Sequence, residues 1–487
     1  MAKQLFKSSE KSNFILNMTE EKYSSIASKI LFFTCIAVSL FTLPYELSEN
    51  VGSPLISGGL AVCGVACMIM ALIAAMKKYI TKDMLVPVGA FGFMLVWGVI
   101  SLINSYDIKI SFYGFDGRGE GLLAIIFYFC FFITALTIKG KKSVSLVMDA
   151  VAAVGTINAL WGIMQIFGAV PTNYGSVVAT VPWDSTDKIN AASGLSQSPL
   201  FLAMVLGISL VTVLSGAVLC EKKARRVIYA VSGCIMSFVL IFTYSVAGWI
   251  AFGIAVVTSL ILVFTKKVPK KRLISIACAV LSSALAIQLI CFGVGNIYDK
   301  YKLHDGPIMW WDSWYRIEAS GDYNLPEVKD SYTALDDVSY VYKYTFGKTI
   351  DIIKENALVG TGPENLIFPQ VNEQIIMSDG SMRIAGESGT SNEGTFDKVY
   401  NEFLYVAATR GIPSLIAFVV LLVSVLAKGI GKLRKNKCGI IEIFSVAAVI
   451  GGIGVMLAGV SNITFAPVFW ICAGLCAGNA SAFKLKK

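Results

Sequence analysis

Apolar runs long enough to cross a membrane alternate with short polar connectors along this chain, and one long polar stretch breaks the alternation. From about Asn296 to Tyr400 the apolar runs stop; about nine precede this stretch and about three follow it. A span requires roughly 20 mostly apolar residues. On that criterion the chain predicts spans near 27–46, 54–76, 84–103, 121–138, 143–168, 198–219, 227–244, 246–265, 273–294, 413–427, 440–460 and 465–483. The 413–427 run is short and needs an added turn at one end. The expected fold is an all-α polytopic membrane protein of about twelve transmembrane helices. Its parts are a tail over 1–26, a bundle of about nine helices over 27–294, a large loop over 295–400, about three helices over 401–483 and a tail over 484–487. No cleavable signal peptide is evident, because the first apolar run follows about 26 polar residues and is long enough to span.

Composition agrees with the pattern: of 487 residues, 55% are hydrophobic and only 15% charged. The net charge of +9 adds an orientation. Basic residues gather in every second connector: Lys77, Lys78 and Lys82; Lys139, Lys141 and Lys142; Lys222, Lys223, Arg225 and Arg226; Lys266, Lys267, Lys270, Lys271 and Arg272; and Lys428, Lys432, Arg434, Lys435 and Lys437. Lys484, Lys486 and Lys487 end the chain, and the alternate connectors contain only Lys109, Arg118 and Lys188. The positive-inside rule then puts both termini in the cytoplasm and the 295–400 loop outside. Topology accounts for the basic clusters better than nucleic-acid or lipid-headgroup binding, so no nucleic-acid partner is expected and the bilayer is.

All eleven cysteines lie in spans or at their inner ends, and the large loop has none, which excludes a disulfide scaffold there. Cys472 and Cys476 share a helix face without His, Asp or Glu beside them, and His304 is the sole histidine; no metal site is expected. The cytoplasmic connectors, roughly 4–15 residues each, are too short to fold a nucleotide-binding domain, and no Walker A motif occurs. No cofactor is expected. An enzyme built this way takes its donor from the membrane or from the outer face.

Three outer elements look structured: 104–120, 169–197 and the large loop. Arg118 and Glu120 sit among glycines just outside a span, where a guanidinium fork suits phosphate and glycines let backbone approach closely; an ordinary turn with an Arg–Glu pair gives the same residues. Asn158 and Gln165 lie in one span, as interhelical glue or as ligand contacts. Phe346, Ile350, Ile353 and Ala357 recur at helical spacing and predict an amphipathic helix ended by Gly360-Thr361-Gly362-Pro363. The Ser/Gly/Glu/Asn-rich 373–396 stretch reads as a mobile loop. A further helix is expected from Asp397 as N-cap, placing Asp397, Tyr400 and Asn401 on one face; Arg410-Gly411-Ile412-Pro413 breaks it. That cluster either caps a surface helix or lines a polar site holding a general base.

The run Phe396-Asp397-Lys398-Val399-Tyr400-Asn401-Glu402-Phe403-Leu404, followed by Gly411-Ile412, resembles the signature of the O-antigen ligase and O-antigen polymerase superfamily. Leu358-Val359-Gly360-Thr361-Gly362-Pro363-Glu364-Asn365 resembles the segment that precedes it, and Phe368-Pro369-Gln370 resembles the Gram-positive branch. Gly162-Ile163-Met164-Gln165, Arg118-x-Glu120-Gly121 and Gly194 to Phe201 add further similarity between about 110 and 430. The resemblance implies a lipid-carrier-dependent glycosyltransferase fold. It also implies metal-independent transfer of a glycan from undecaprenyl diphosphate to a glycan or cell-envelope acceptor at the outer face. Carried over residue by residue, it implies Tyr400, Asp397, Glu402 and Glu364 as catalytic candidates. Arg118, Glu120, Gln165, Asn401, Arg410 and Lys398 become substrate contacts. Two positions depart from the pattern. The family histidine is Tyr400 here, and the middle Ser-Arg-Gly element reads Ser245-Val246-Ala247. A tyrosine with a pKa near 10 is a poor base at neutral pH: either Tyr400 only positions the acceptor, or a carboxylate such as Glu364, Asp397 or Glu402 activates it, or the usual activity is lost; Arg118, Arg383, Arg410 or Lys398 could replace the missing phosphate contact. A flippase or transporter of lipid-linked glycan, or a non-catalytic polysaccharide-assembly protein, is the alternative.

Overall fold

The computed structural model describes residues 18–42, 49–115, 118–171, 175–176, 189–266, 269–301, 334–370, 374–376, 382–384, 396–434 and 440–478. His304, the chain ends expected in the cytoplasm, and most of the 373–396 stretch lie outside them.

Each of the twelve apolar runs falls on a helix. In chain order these are α1 Glu20–Phe41, α2 Glu49–Met76 and α3 Leu85–Ile103, a short α4 Ile108–Tyr113, then α5 Leu122–Thr137 and α6 Lys141–Ile166. Next come α7 Pro199–Leu219, α8 Lys223–Ile241, α9 Val246–Thr265 and α10 Leu273–Tyr301. Within the polar stretch lies α11 Ala334–Glu355, and α12 Glu402–Arg434, α13 Ile440–Met456 and α14 Ala466–Ala477 follow it. Among the described residues nine helices are long and apolar enough to cross a membrane, while α5, α13 and α14 are apolar but shorter. Three 3-10 turns, Lys82–Met84, Lys270–Arg272 and Phe368–Gln370, and two short antiparallel pairs also occur: β1 Gly175–Ser176 with β2 Ile189–Asn190, and β3 Gln374–Ile376 with β4 Met382–Ile384. The second pair, which carries Arg383, gives order to part of the stretch expected as a mobile loop.

At the centre stands α7, buried at every residue from Leu202 to Leu219. A helix apolar on all sides has no face for water, and α6, α8, α9 and α13 enclose it. Small residues permit the close approach: a Cβ at Gly207 would meet Val455 and Ala251, and one at Gly216 would strike the ring of Tyr229. On the other side of the bundle α5 packs on α14 and α2, and α3 packs on α12.

Two expected boundaries move. α1 begins at Glu20 rather than 27, because Thr19 Oγ1 accepts from Lys22 N at 3.3 Å and two acidic residues occupy the first turn. No helix starts at Asp397: 396–401 is irregular, and α12 starts at Glu402. Asn401 is the cap, its Oδ1 accepting from Leu404 N at 3.0 Å, so Asp397, Tyr400 and Asn401 do not share a helical face. The buried face of α11 is also rotated from the expected one. Thr345, Thr349 and Ile352 are buried, whereas Ile350 is exposed.

The break in α12 organises what lies around it. Gly411 has φ 76°, ψ 167°, a conformation open essentially only to glycine. Pro413 has no N–H to offer Thr409 O, and Ile412 N turns away to donate to Ala357 O at 2.8 Å. The freed carbonyls are taken by another segment: Thr361 N donates to Ala408 O and Gly362 N to Thr409 O, both at 2.9 Å. Ser101 Oγ adds a bond to Thr409 O at 2.8 Å, and Trp97 Nε1 donates to Leu358 O at 2.9 Å. The two chains cross backbone to backbone. A Cβ on Gly360 would lie 2.4 Å from Thr409 C, and one on Gly411 would lie 2.2 Å from Leu358 O.

Gly411→Ala is therefore expected to destabilise the protein by at least about 1–3 kcal/mol from backbone strain alone. Thermal unfolding in detergent measures this, and a variant as stable as the parent would show that the crossing bears no strain.

Candidate functional site

The crossing delivers charged side chains from three distant stretches to one place. Glu364 follows Gly362-Pro363 and holds φ 59°, a left-handed conformation that costs a bulky residue about 1–3 kcal/mol. Its neighbour Asn365 holds the turn. Asn365 Oδ1 accepts from Asp107 N at 2.7 Å, and Nδ2 donates to Ser111 Oγ at 2.8 Å and to Pro363 O at 2.9 Å. Phe368 stacks between Tyr106 and Phe115 at 6.2 and 6.5 Å, and Gln370 Nε2 donates to Phe396 O at 2.8 Å. The Phe-Pro-Gln element thus ties the 104–120 element to the strap that carries Asp397 and Lys398. On that first element, Gly119 at φ 63° lies against Ser57, and Gly121 packs on the backbone of Phe112 and Gly114; between them they aim Glu120 inward.

At the open end Arg118 Nη1 pairs with Asp397 Oδ2; the two side chains are 37% and 32% exposed. Further in, Lys398 Nζ pairs with Glu120 Oε2 and lies 3.6 Å from Glu364 Oε1, with all three side chains buried. Phe201 and Tyr405 place their rings 5.8 and 5.7 Å from Lys398 Nζ. Tyr405 Oη donates to Glu364 Oε1. Deepest are Glu402 and Arg410, 3.9 Å apart and buried, with Glu402 Oε2 accepting from Ser461 N at 2.6 Å. The connector holding Ser461 is braced on the same helix end, since Asn401 Nδ2 donates to Leu457 O at 3.0 Å. A cavity of about 40 Å³ runs beside these groups, walled by Glu120, Glu364, Glu402 and Arg410 on its polar side and by Phe91, Phe418 and Trp470 on its apolar side.

Three cations thus face four carboxyls, one negative charge in excess when all are ionised. Burial of such an excess is resolved by holding a proton. Burial pushes the Glu120 carboxyl up to about 7; Lys398 opposes the shift and Glu364 adds to it. Burial also works against the Lys398 ammonium, but Glu120 and Glu364 outweigh it and its pKa rises. Arg118 behaves likewise, with Asp397 the leading partner that holds its charge. For Asp397, burial is overcome by Arg118 and the carboxyl is held below its ordinary value. Asp397 is therefore a weak base, and Glu120 titrates where a neutral-pH base is most effective.

Of the expected residues, Arg118, Glu120, Glu364, Asp397, Lys398, Glu402 and Arg410 form this one network. The Tyr400 ring lies 6.4 Å from that of Tyr342, outside the charged network, and Asn401 serves as helix cap and brace. Gln165 lies elsewhere. Its Oε1 accepts from Ser193 N at 3.0 Å and Gly194 N at 2.7 Å, and its Nε2 donates to Ser193 Oγ at 2.9 Å, so it clamps a turn. Asn158 does the same for Leu195 and Ser196. Ser245 caps α9, accepting from Gly248 N at 3.2 Å. The side chain of Arg383 lies outside the described residues. Sequence reasoning missed Tyr405, Tyr128 and Ser461. Tyr405 follows Glu402 by three residues and was detectable once the helix start was right; Ser461 contributes a backbone N–H and has no sequence signal.

Two outcomes follow from the charge balance. The folded state keeps the Glu120 proton up to about 7, whereas an unfolded chain releases it near 4.3. Stability from this group is complete below that lower value and is lost as pH rises through about 7. Melting temperatures taken between pH 4.5 and 8 should fall across this window, and Glu120→Gln should flatten the fall. Lys398→Met leaves Glu120 and Glu364 without their shared cation and should cost about 3–5 kcal/mol, read by the same melts. No protein-family model matches the chain, and no curated protein matches it significantly.

Proposed function

We propose that this protein is a membrane glycosyltransferase of the O-antigen ligase and polymerase type. It moves a glycan from an undecaprenyl-diphosphate carrier to an acceptor hydroxyl at the outer face of the cytoplasmic membrane. The reading rests on one observation above all: a buried network of acid, base and cation is assembled from stretches about 118–120, 364 and 397–410, each beside an apolar helix. Buried ionisable groups beside membrane-length apolar helices are costly and mark function. The alternation of basic connectors supports cytoplasmic termini and an outward-facing site.

Arg118 is the most accessible cation of the network. Its planar fork suits a diphosphate, which displaces Asp397 on binding. Stabilising the leaving diphosphate supplies the main electrostatic contribution. Glu120 takes the acceptor proton as the new C–O bond forms and the diphosphate departs with the electron pair of the old one. Lys398 and Glu364 set the basicity of Glu120. Tyr400, two residues along the strap from Lys398, positions the acceptor. Arg410, buried against Glu402, holds the inner wall instead of meeting the diphosphate.

The test is reconstitution in liposomes with a polyprenyl-diphosphate glycan and candidate acceptors. Transfer should rise as pH passes about 7, disappear in Arg118→Ala at unchanged protein level, and drop about 10²-fold or more in Glu120→Gln. Normal transfer by both variants would remove them from the mechanism. Carrier crossing the bilayer without formation of a glycosidic bond would replace transfer with transport.

A further inference from the structure

One group on the wall of the inner cavity is left by the fold without a hydrogen-bond partner, and a guanidinium beside it has donors to spare. Tyr128, on α5, is 5% exposed, and its buried hydroxyl has no partner among the described residues. Arg410 is 6% exposed, donates no hydrogen bond among the described residues and meets Glu402 only at 3.9 Å. A buried hydroxyl left unsatisfied costs about 1–3 kcal/mol, and a charged donor more. Both residues line the same cavity as Glu120 and Glu402. Its volume of about 40 Å³ suits a few waters at about 10–15 Å³ each. Waters need two to four polar partners, and the polar wall offers a phenol, a guanidinium and carboxylates.

We propose that this cavity binds a short chain of waters, held by Tyr128 Oη and the Arg410 guanidinium, that passes a proton between Glu120 and Glu402. The Glu120 O–H bond breaks and a Glu402 O–H bond forms, each water taking one proton as it gives another. Lys398 and Glu364 face Glu120 from the strap and the 357–365 segment, with Arg118 and Asp397 beyond them; Arg410 and Ser461 N face Glu402. In turnover the relay holds the acceptor proton on Glu402 while Glu120 is ionised and hands it back through the same waters for release to solvent at the Arg118 end, a role that rests on the glycosyl-transfer reading. The relay itself does not. Tyr128 is then a positioning residue for the proton path.

The full-length protein in lipid nanodiscs tests this by infrared difference spectroscopy between acid and alkaline pH. The protonated carboxyl band of Glu120 is identified by its loss in Glu120→Gln. In Tyr128→Phe, which removes an atom with no partner among the described residues, that band should shift in frequency while the melting temperature holds. Where transfer is measured, Tyr128→Phe should lower turnover roughly tenfold at unchanged donor KM and reduce the solvent deuterium isotope effect. An unchanged carboxyl band in Tyr128→Phe overturns the relay whatever the turnover does. Absence of transfer in the parent overturns the glycosyl-transfer reading, and the infrared result then decides the relay alone.

Discussion

Everything near the site depends on the exchange of backbone hydrogen bonds where α12 breaks. Pro413 removes one donor and Gly411 redirects the chain, so the carbonyls of Ala408 and Thr409 must find partners or be buried without them. Thr361 and Gly362 supply those partners. The bonds hold Glu364 in its left-handed conformation two residues from the crossing and set Glu402, Tyr405 and Arg410 on the helical stretch just before it. Sterics make the arrangement selective: both strands of the crossing carry glycine at the contact, and a methyl group on either would overlap backbone. A polar site is thereby mounted on main chain, which is stiffer than side-chain packing alone.

The second constraint is electrostatic. Each cation of the network already has a carboxylate, graded from the half-exposed Arg118–Asp397 pair to the buried Glu402–Arg410 pair. Buried ion pairs return little net stability, because desolvation offsets the attraction. Their gradation leaves the cation at the mouth the most accessible and buries a carboxyl further in, where its pKa is raised.

Helices were readable because hydropathy is local; Pro199–Leu219 and Val246–Thr265 needed nothing but their own residues. Six of the seven charged residues at the site stood out for a related reason, since charges beside apolar runs are conspicuous, and Glu364 came through its similarity to a known segment. Their pairing was not readable. Arg118 and Asp397 are 279 positions apart, and no local pattern selects Asp397 over Glu402 as the partner. The start of α12 was misplaced because Asp397 and Asn401 are both good caps; only the tertiary pair with Arg118 decides between them. Tyr128 and Tyr405 sit in apolar helices, where a tyrosine reads as packing until its hydroxyl is seen.

The enclosure of α7 has a consequence for how the chain is made. Of its four neighbours, only α6 precedes it; α8, α9 and α13 are synthesised later. During that interval α7 must be content in lipid, which its uncharged, mostly apolar residues allow. Its glycines meet Val455 and Tyr229 only afterwards. One stretch of residues therefore answers two solvents in succession, first the acyl chains that receive the nascent helix and then the protein that withdraws it from them.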